Sequence, residues 1–309
     1  MTQIKSLEHD LLPDLLVEPS QIERILSPYM GRSLSTEEWS KIQDEEFTRL
    51  QTYLRKHKWL RWIPGALRSQ KSIKFNYDAQ WINFEAEDQV SKLGKLVPLE
   101  WGNRYFMARA VATKRIHLLH LMKIIEITGP NSILEVGAGN GLNLIELAAY
   151  FDDKKFTGLE LTPGGVNASI RLASKLPLPN SIIEFSPLPL TKKNVVGRIN
   201  FNIGNAAKMP FEETSFDLVY TSLALEQMEE VRDGALREIA RVAKKWVVMI
   251  EPWRDFNNFG VRASYIDANR YFSGFIDDLP TYGLIPVRVI QDVPNKINLK
   301  VAIVVAQKL

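Results

Sequence analysis

The segment ILEVGAGNGLNL, residues 133 to 144, constrains the fold of this chain more than any other. A run of apolar residues ends in an acid, Glu135, and three glycines follow at alternate positions, Gly137, Gly139 and Gly141. An apolar-periodic stretch, Leu142, Leu144, Ile145 and Leu147, then begins. That order reads as a strand, a tight turn and a helix. Glycine is needed in such a turn because the chain leaving a buried strand takes backbone angles closed to residues with a Cβ, and because a ligand must approach the main chain closely. The turn is therefore built to hold a ligand.

Spacing decides which ligand. The dinucleotide fingerprint GxGxxG has its third glycine three positions after the second, whereas Leu142 stands there and Gly141 comes one residue early. Pyrophosphate, and with it a nicotinamide-dependent oxidoreductase, is disfavoured. The pattern ExGxGxG after an apolar strand resembles motif I of the class I S-adenosylmethionine-dependent methyltransferases. Three further segments stand in the order of that family. KKFTGLEL (154 to 161) reads as a second strand ending in Glu160, nineteen positions after Gly141. A carboxylate there can accept both ribose hydroxyls of a nucleoside lying across the strand ends. NFNIGNAAKMPFEETSFDLVY (200 to 220) resembles the third and fourth strands with the connection between them. Asn205 stands where many members have Asp, and its side-chain carbonyl can still accept from the adenine amino group. SLALEQMEE (222 to 230) follows the fourth strand and leads into the helical VRDGALREIARVAKK.

The resemblance implies a Rossmann-like class I methyltransferase sheet, α/β, of seven mostly parallel strands with the last antiparallel. It implies S-adenosylmethionine as cofactor, contacted by Glu135, Gly137, Ala138, Gly139, Asn140 and Gly141 of the turn. Glu160 and Leu161 of the second strand, Asn205 and Ala206 after the third, and Ser222 and Leu223 at the end of the fourth complete the set. By analogy with relatives, Arg109 pairs with the cofactor carboxylate. Methyl transfer is an in-line displacement on a carbon bound to positive sulfur, so the protein mainly aligns nucleophile and methyl group and excludes water. A hydroxyl or ammonium nucleophile must also lose a proton, and Glu226, just beyond the fourth strand, is the candidate base. It reads equally as an acid at a helix N-terminus stabilised by the dipole.

The chain has 309 residues, 45% of them hydrophobic, enough for one catalytic domain and an additional element. The reading divides it into residues 1 to 103, a helical cap that helps bind substrate, and 104 to 309, the cofactor-binding domain. TEEWSKIQDEEFTRLQTYLRKHKWL, from Thr36 to Leu60, is helix-forming, and a second helix is expected over Arg104 to Thr128, ended by Gly129 and Pro130. Past a fifth strand, WVVMIEPW (246 to 253), come a helix near Asp267 to Asp278 and two strands, GLIPVRVIQDV and LKVAIVVAQK. The proline-bearing stretch 176 to 198 is longer than the connection requires.

Substrate residues are expected outside the common fold. EPWRDFNNFGVRASYIDANRYF, after the fifth strand, offers Trp253, Arg254, Asn258, Arg262 and Tyr265, a polar and aromatic set suited to a hydroxylated or sugar-like molecule. Trp101 and Tyr105 would form the opposite wall, although several of these residues equally suit a lid's own packing. The expected activity is methyl transfer to an O or N atom of a small molecule or glycan intermediate. The alternatives are an RNA methyltransferase using the basic segment 55 to 74 and, from another class, a non-catalytic binding subunit on the same fold.

Cys is absent, which excludes disulfides and thiolate metal sites. His117 and His120, three apart on a helix, read as one packed and one exposed residue, and no metal is expected. The first twenty residues lack a basic stretch followed by an apolar core, and no run approaches the roughly 18 apolar residues that span a bilayer. A cytoplasmic protein without a transmembrane segment is expected. Net charge is only +3, but Arg55, Lys56, Lys58, Arg61, Arg68, Lys71 and Lys74 form a run without an acid, with Tyr53, Trp59, Trp62, Phe75 and Tyr77 among them. Such a mixture suits RNA, an anionic membrane surface, or a cap whose aromatics pack while its cations reach solvent. The last is favoured, so nucleic acid is not the expected partner.

Overall fold

A computed structural model describes residues 12, 13, 15–57, 74, 78, 81 and 94–309. The expected basic and aromatic run lies largely outside the described residues. The main sheet has seven strands in the order β6-β5-β4-β7-β8-β11-β9. These are β4 (Ser132–Val136), β5 (Lys155–Glu160), β6 (Ile199–Ile203), β7 (Phe216–Ser222), β8 (Ala243–Glu251), β9 (Leu284–Ile290) and β11 (Ala302–Lys308). The first five of these in chain order pair in parallel, whereas β11 runs antiparallel between β8 and β9. Strand order reverses at β4, whose neighbours are β5 and β7, so the crevice of an open α/β sheet falls at its carboxyl end.

Helices cover both faces. Among the described helices, α3 (Val111–Thr128), α4 (Leu142–Tyr150), α5 (Pro163–Ala173) and the short α6 (Asn180–Ile183) contribute to one core cluster, and α7 (Arg232–Val242) to the other. Helix α3 is apolar around most of its girth and buried on more than one face, from Ile116 through Ile125, as expected of a helix enclosed between other elements. Gly129 ends it in the left-handed region, at φ +57°.

The N-terminal part contains α1 (Pro19–Leu26) and, within the stretch expected to be helical, α2 (Thr36–Lys56), opened by a reciprocal cap between Ser35 and Glu38. It also contains strands that the sequence reading did not foresee. β1 (Met30–Leu34), β2 (Leu96–Trp101), β3 (Arg104–Arg109) and β10 (Asn295–Lys296) form an antiparallel sheet in the order β1-β3-β2-β10. The helix expected from Arg104 therefore starts at Val111, and the preceding residues belong to a hairpin whose turn is Gly102 and Asn103. Gly102, at φ +57°, supplies the positive angle that a two-residue hairpin turn requires. The division after residue 103 thus falls within that turn.

Two other expectations differ from the structure. In place of a helix over Asp267 to Asp278 stand α8 (Gly260–Asn269) and a 3-10 turn at Ile276–Tyr282. Arg270, at φ +52°, terminates α8, and Pro280 keeps the later turn from continuing as α-helix. The long connection 176 to 198 is packed: Leu178, Ile182, Phe185 and Val195 are buried in the main core. Arg198 and the amides of Thr191 and Lys192 bind carbonyls at the end of α4.

Candidate active site

The cleft at the carboxyl edge is built from four turns. After β4, Gly137 and Ala138 both donate their NH groups to the Leu159 carbonyl of β5, at 2.8 and 3.0 Å. Gly137 sits at φ +77°, and a Cβ there would lie 2.6 Å from that of Ala224 in the turn after β7. The two turns can close on each other only without that carbon. Gly137 and Gly139 line the cleft.

Glu160, at the end of β5, lines the same cleft. Its Oε1 accepts from the NH and hydroxyl of Thr162 at 3.0 and 2.8 Å, and its Oε2 accepts from the NH of Gly139 at 3.0 Å. Burial raises its pKa, opposed by these hydrogen bonds. Leu161 and Thr162 continue the wall. Gly204, Asn205 and Ala206 after β6 form the next side. The Asn205 side-chain oxygen accepts from the NH of Ala207 at 2.9 Å, so the lone pair expected to meet adenine is shared with a local turn. Leu223, Ala224, Gln227 and Met228 after β7 close the cleft, and Lys74 of the basic run reaches its rim. Thr162, Gln227, Met228 and Lys74 were not foreseen; the turn after β7 was marked only by an acid at Glu226.

Other residues of the expected cofactor set lie beneath or beside this lining. Glu135 is buried under the turn, accepts from the Asn143 amide at 2.7 Å, and is pushed up to about 7, burial outweighing that bond and the Lys114 ammonium. Ala138 and Gly141 shape the turn, Gly141 against Ser169 and Phe201. Asn140 is buried, with its amide nitrogen lacking a partner among the described residues. Ser222 is half-buried at the end of β7, paired in register with Ile250. Arg109 is exposed at the end of β3 and is not among the residues that line the cleft.

The expected substrate residues do not form one wall. Trp253 is completely buried in the core, its ring 5.2 Å from Phe272 in edge contact. Arg254 pairs with Asp267 at 3.3 Å, and Asn258 is exposed. Arg262 forms an ion pair with Glu100 of β2, and Trp101 donates to Asp292 at 2.6 Å. Tyr105 stacks on Trp39 of α2 at 4.6 Å. These contacts fasten the loop and hairpin to the body. Tyr265 differs: it lines a second cavity with Glu46 and Arg49 of α2, Pro98 of β2, and Asn298, and it feels the charges of both Glu226 and Glu46. His117 and His120 are both buried, and burial depresses them to about 3 and about 4. The expectation that one of them is exposed is not met, because α3 is enclosed on the faces that carry both.

Glu226 does not line the cleft but stands next to Gln227, which does, and accepts from its amide at 2.8 Å. Glu251, which the sequence reading passed over, lies behind it. That carboxylate is wholly buried at the end of β8 and accepts from the NH groups of Ala224, Leu225 and Glu226 at 3.1, 3.1 and 3.2 Å. Burial and the neighbouring charge of Glu226 push it up to about 8.

The sheet order, the glycine turn and the carboxylate at the tip of the next strand are the arrangement that the resemblance to class I S-adenosylmethionine-dependent methyltransferases implies. Residues 134–250 match the family model described as a methyltransferase domain. The chain is 26% identical over 180 residues to a ubiquinone/menaquinone biosynthesis C-methyltransferase of Hydrogenovibrio crunogenus, covering 57% of this chain and 62% of that one. An O-methyltransferase of Aspergillus nomiae is 28% identical over 134 residues, 43% of this chain and 51% of that one. Ajmaline N-methyltransferase of Rauvolfia serpentina is 23% identical over 158 residues, 47% and 48%. The chain thus spans about half to three-fifths of the length of these relatives. Among solved structures, the [4+2]-cyclase SpnF superposes with a TM-score of 0.53 at 16% identity, over 78% of this chain and 97% of that one, a likeness of fold.

The cleft fits S-adenosylmethionine, the cofactor of this class. Gly137 and Gly139 present main chain along its lining, and Glu160 offers a carboxylate where ribose hydroxyls would fall. Among the described residues no helix is long and apolar enough to cross a membrane.

Proposed function

We propose that the protein is an S-adenosylmethionine-dependent methyltransferase acting on an oxygen or nitrogen atom of a small molecule or glycan intermediate. The observation that carries this reading is the convergence of Gly137, Gly139, Glu160, Asn205 and Ala206 on one cleft at the topological switch point. Bound S-adenosylmethionine supplies a methyl carbon made electrophilic by the sulfonium. Glu160 would hold the ribose, Asn205 and Ala206 would face the adenine, and Gly137 and Gly139 would let the main chain approach the rest. Ala224 and Met228 are apolar wall residues that exclude water from the reacting end.

Glu226 takes the acceptor's proton. Tyr265 supports an acceptor on this side, since it lies within the electrostatic reach of Glu226 while lining the cavity between α2, β2 and α8. That cavity sets Glu46, Arg49 and Asn298 beside Ile42 and Pro98, polar groups for hydroxyls and apolar surface for C–H faces. Calorimetric titration with S-adenosylhomocysteine and with NAD tests the cofactor: micromolar binding of the first and none of the second is expected, and the reverse sinks the reading. Methyl transfer from labelled cofactor to a panel of hydroxyl, amine and activated-carbon acceptors then tests the atom. Glu226→Gln should lower turnover about 100-fold while leaving S-adenosylhomocysteine affinity intact. Methylation confined to carbon acceptors would overturn the oxygen or nitrogen assignment.

A further inference from the structure

The turn after β7 is held in an unfavourable conformation by a residue outside it. Leu223 has φ +54°, a left-handed angle that costs a residue with a side chain roughly 1–2 kcal/mol. Its NH donates to the Ile250 carbonyl of β8 at 2.9 Å. The next three NH groups, those of Ala224, Leu225 and Glu226, all end on the two oxygens of Glu251. A conformation of this cost persists only where its surroundings over-determine it, and such residues gather at functional sites. Leu223 and Ala224 are cleft walls, and Glu226 belongs to the same turn.

We propose that Glu251 is a positioning residue for methyl transfer: its buried carboxylate gathers the main-chain NH groups of Ala224 to Glu226 and so sets both the cofactor wall and the place of the proton acceptor. This rests on the reading of the cleft given above. A carboxylate of this kind is costly to bury without partners, and a hydrophobic residue at the strand end would do equally well for packing alone. Glu251 stands where three converging donors have no other acceptor among the described residues. The groups facing it are Glu226 from the turn and the Thr221 hydroxyl of β7, with Tyr265 of α8 facing Glu226 in turn. Its raised pKa adds a signature, because only the ionised form makes charge-assisted bonds to all three donors.

The variant Glu251→Gln separates this role from mere filling. Glutamine matches the shape but replaces one acceptor oxygen with a donor, leaving at least one of the three NH groups without a partner. Two readouts are taken on the full chain, hydrogen exchange of the peptide covering 222 to 230 and calorimetric affinity for S-adenosylhomocysteine from pH 6.5 to 9. In the variant the amides of 224 to 226 should exchange at least tenfold faster, with β4 and β5 unchanged, and affinity should fall at least fivefold at pH 9. In the wild type, affinity should rise with pH around a midpoint near 8, and this rise should be absent from the variant. Equal exchange and equal affinity in the two proteins overturn the proposal. Should the variant fail to fold, the wild-type titration decides: a flat profile across pH 8 overturns it. Absence of S-adenosylhomocysteine binding by the wild type would instead sink the functional reading, while the exchange arm would still report on the turn.

Discussion

The NH of Gly139 donates to Oε2 of Glu160 across 3.0 Å, joining the glycine turn of one strand to the acid at the tip of its neighbour. Residues twenty-one positions apart in sequence thereby share one hydrogen bond and one wall of the cleft. The acid braces the loop beneath it and, in the proposed function, is also the ligand for a ribose. Replacing it should remove both functions. For Glu160→Ala we expect S-adenosylhomocysteine affinity, measured by calorimetry, to fall about 10- to 100-fold, since hydrogen bonds to a charged group contribute about 1.5–3 kcal/mol. Unchanged affinity would remove Glu160 from the site.

Gly137→Ala tests the contact between the turns. The added carbon meets Ala224 at 2.6 Å and the residue must hold φ +77°, so the variant carries both a clash and strain. A loss of about 1–3 kcal/mol in urea unfolding is expected, together with loss of S-adenosylhomocysteine binding. Gly197→Ala, also at positive φ but with open space around it, should share the strain without the binding defect.

The buried titratable groups give stability a defined dependence on pH. His117 and His120, depressed to about 3 and about 4, stay neutral in the fold while the unfolded chain binds protons below about 6.5. Their contribution is therefore lost as pH falls from 6.5 toward 3. Glu135 and Glu251, raised to about 7 and about 8, keep protons that the unfolded chain releases near 4.5. Their contribution is present at low pH and disappears as pH rises through 8. Between 6.5 and 8 the histidines no longer titrate. These two carboxylates, with Glu146 and Glu160, which burial also raises, lower stability as pH rises, opposed by Lys114, whose pKa burial depresses. The urea midpoint should therefore show a net fall over that interval. A rising or flat midpoint there would contradict the burial of both acids in their neutral forms.

Trp253 separates packing from recognition. Its ring is fully buried against Phe272, so Trp253→Ala should cost about 3–5 kcal/mol of stability. Trp253→Phe, which keeps an aromatic edge, should cost less. If the alanine variant unfolds like the wild type and loses only methyl transfer, Trp253 belongs to the substrate site after all.

What the sequence displayed and what it hid divide along physical lines. The glycine turn, the acid ending β5 and the strands FDLVYT and WVVMIEPW are local patterns, and each predicts an element without knowledge of its neighbours. The hairpin over residues 96 to 109 also carried a local sign, Gly102-Asn103 between two apolar runs, but the spacing of apolar residues continuing into α3 masked it. Glu251 could not be found this way, because its partners are main-chain NH groups twenty-five to twenty-seven positions upstream. The partners of the proposed substrate residues were hidden for the same reason. Arg262 faces Glu100, and Trp101 faces Asp292, across separations that leave no periodic trace.

The pairing of β10 with β2 ties an early hairpin to a segment near residue 295. During synthesis the ribosome releases β2 about two hundred residues before its partner exists. For that interval one edge of the hairpin has no strand to bind, the condition under which nascent chains draw on chaperones or pair with a neighbour. Strand β10 is only two residues long, yet its arrival marks the moment at which the four-stranded sheet is complete.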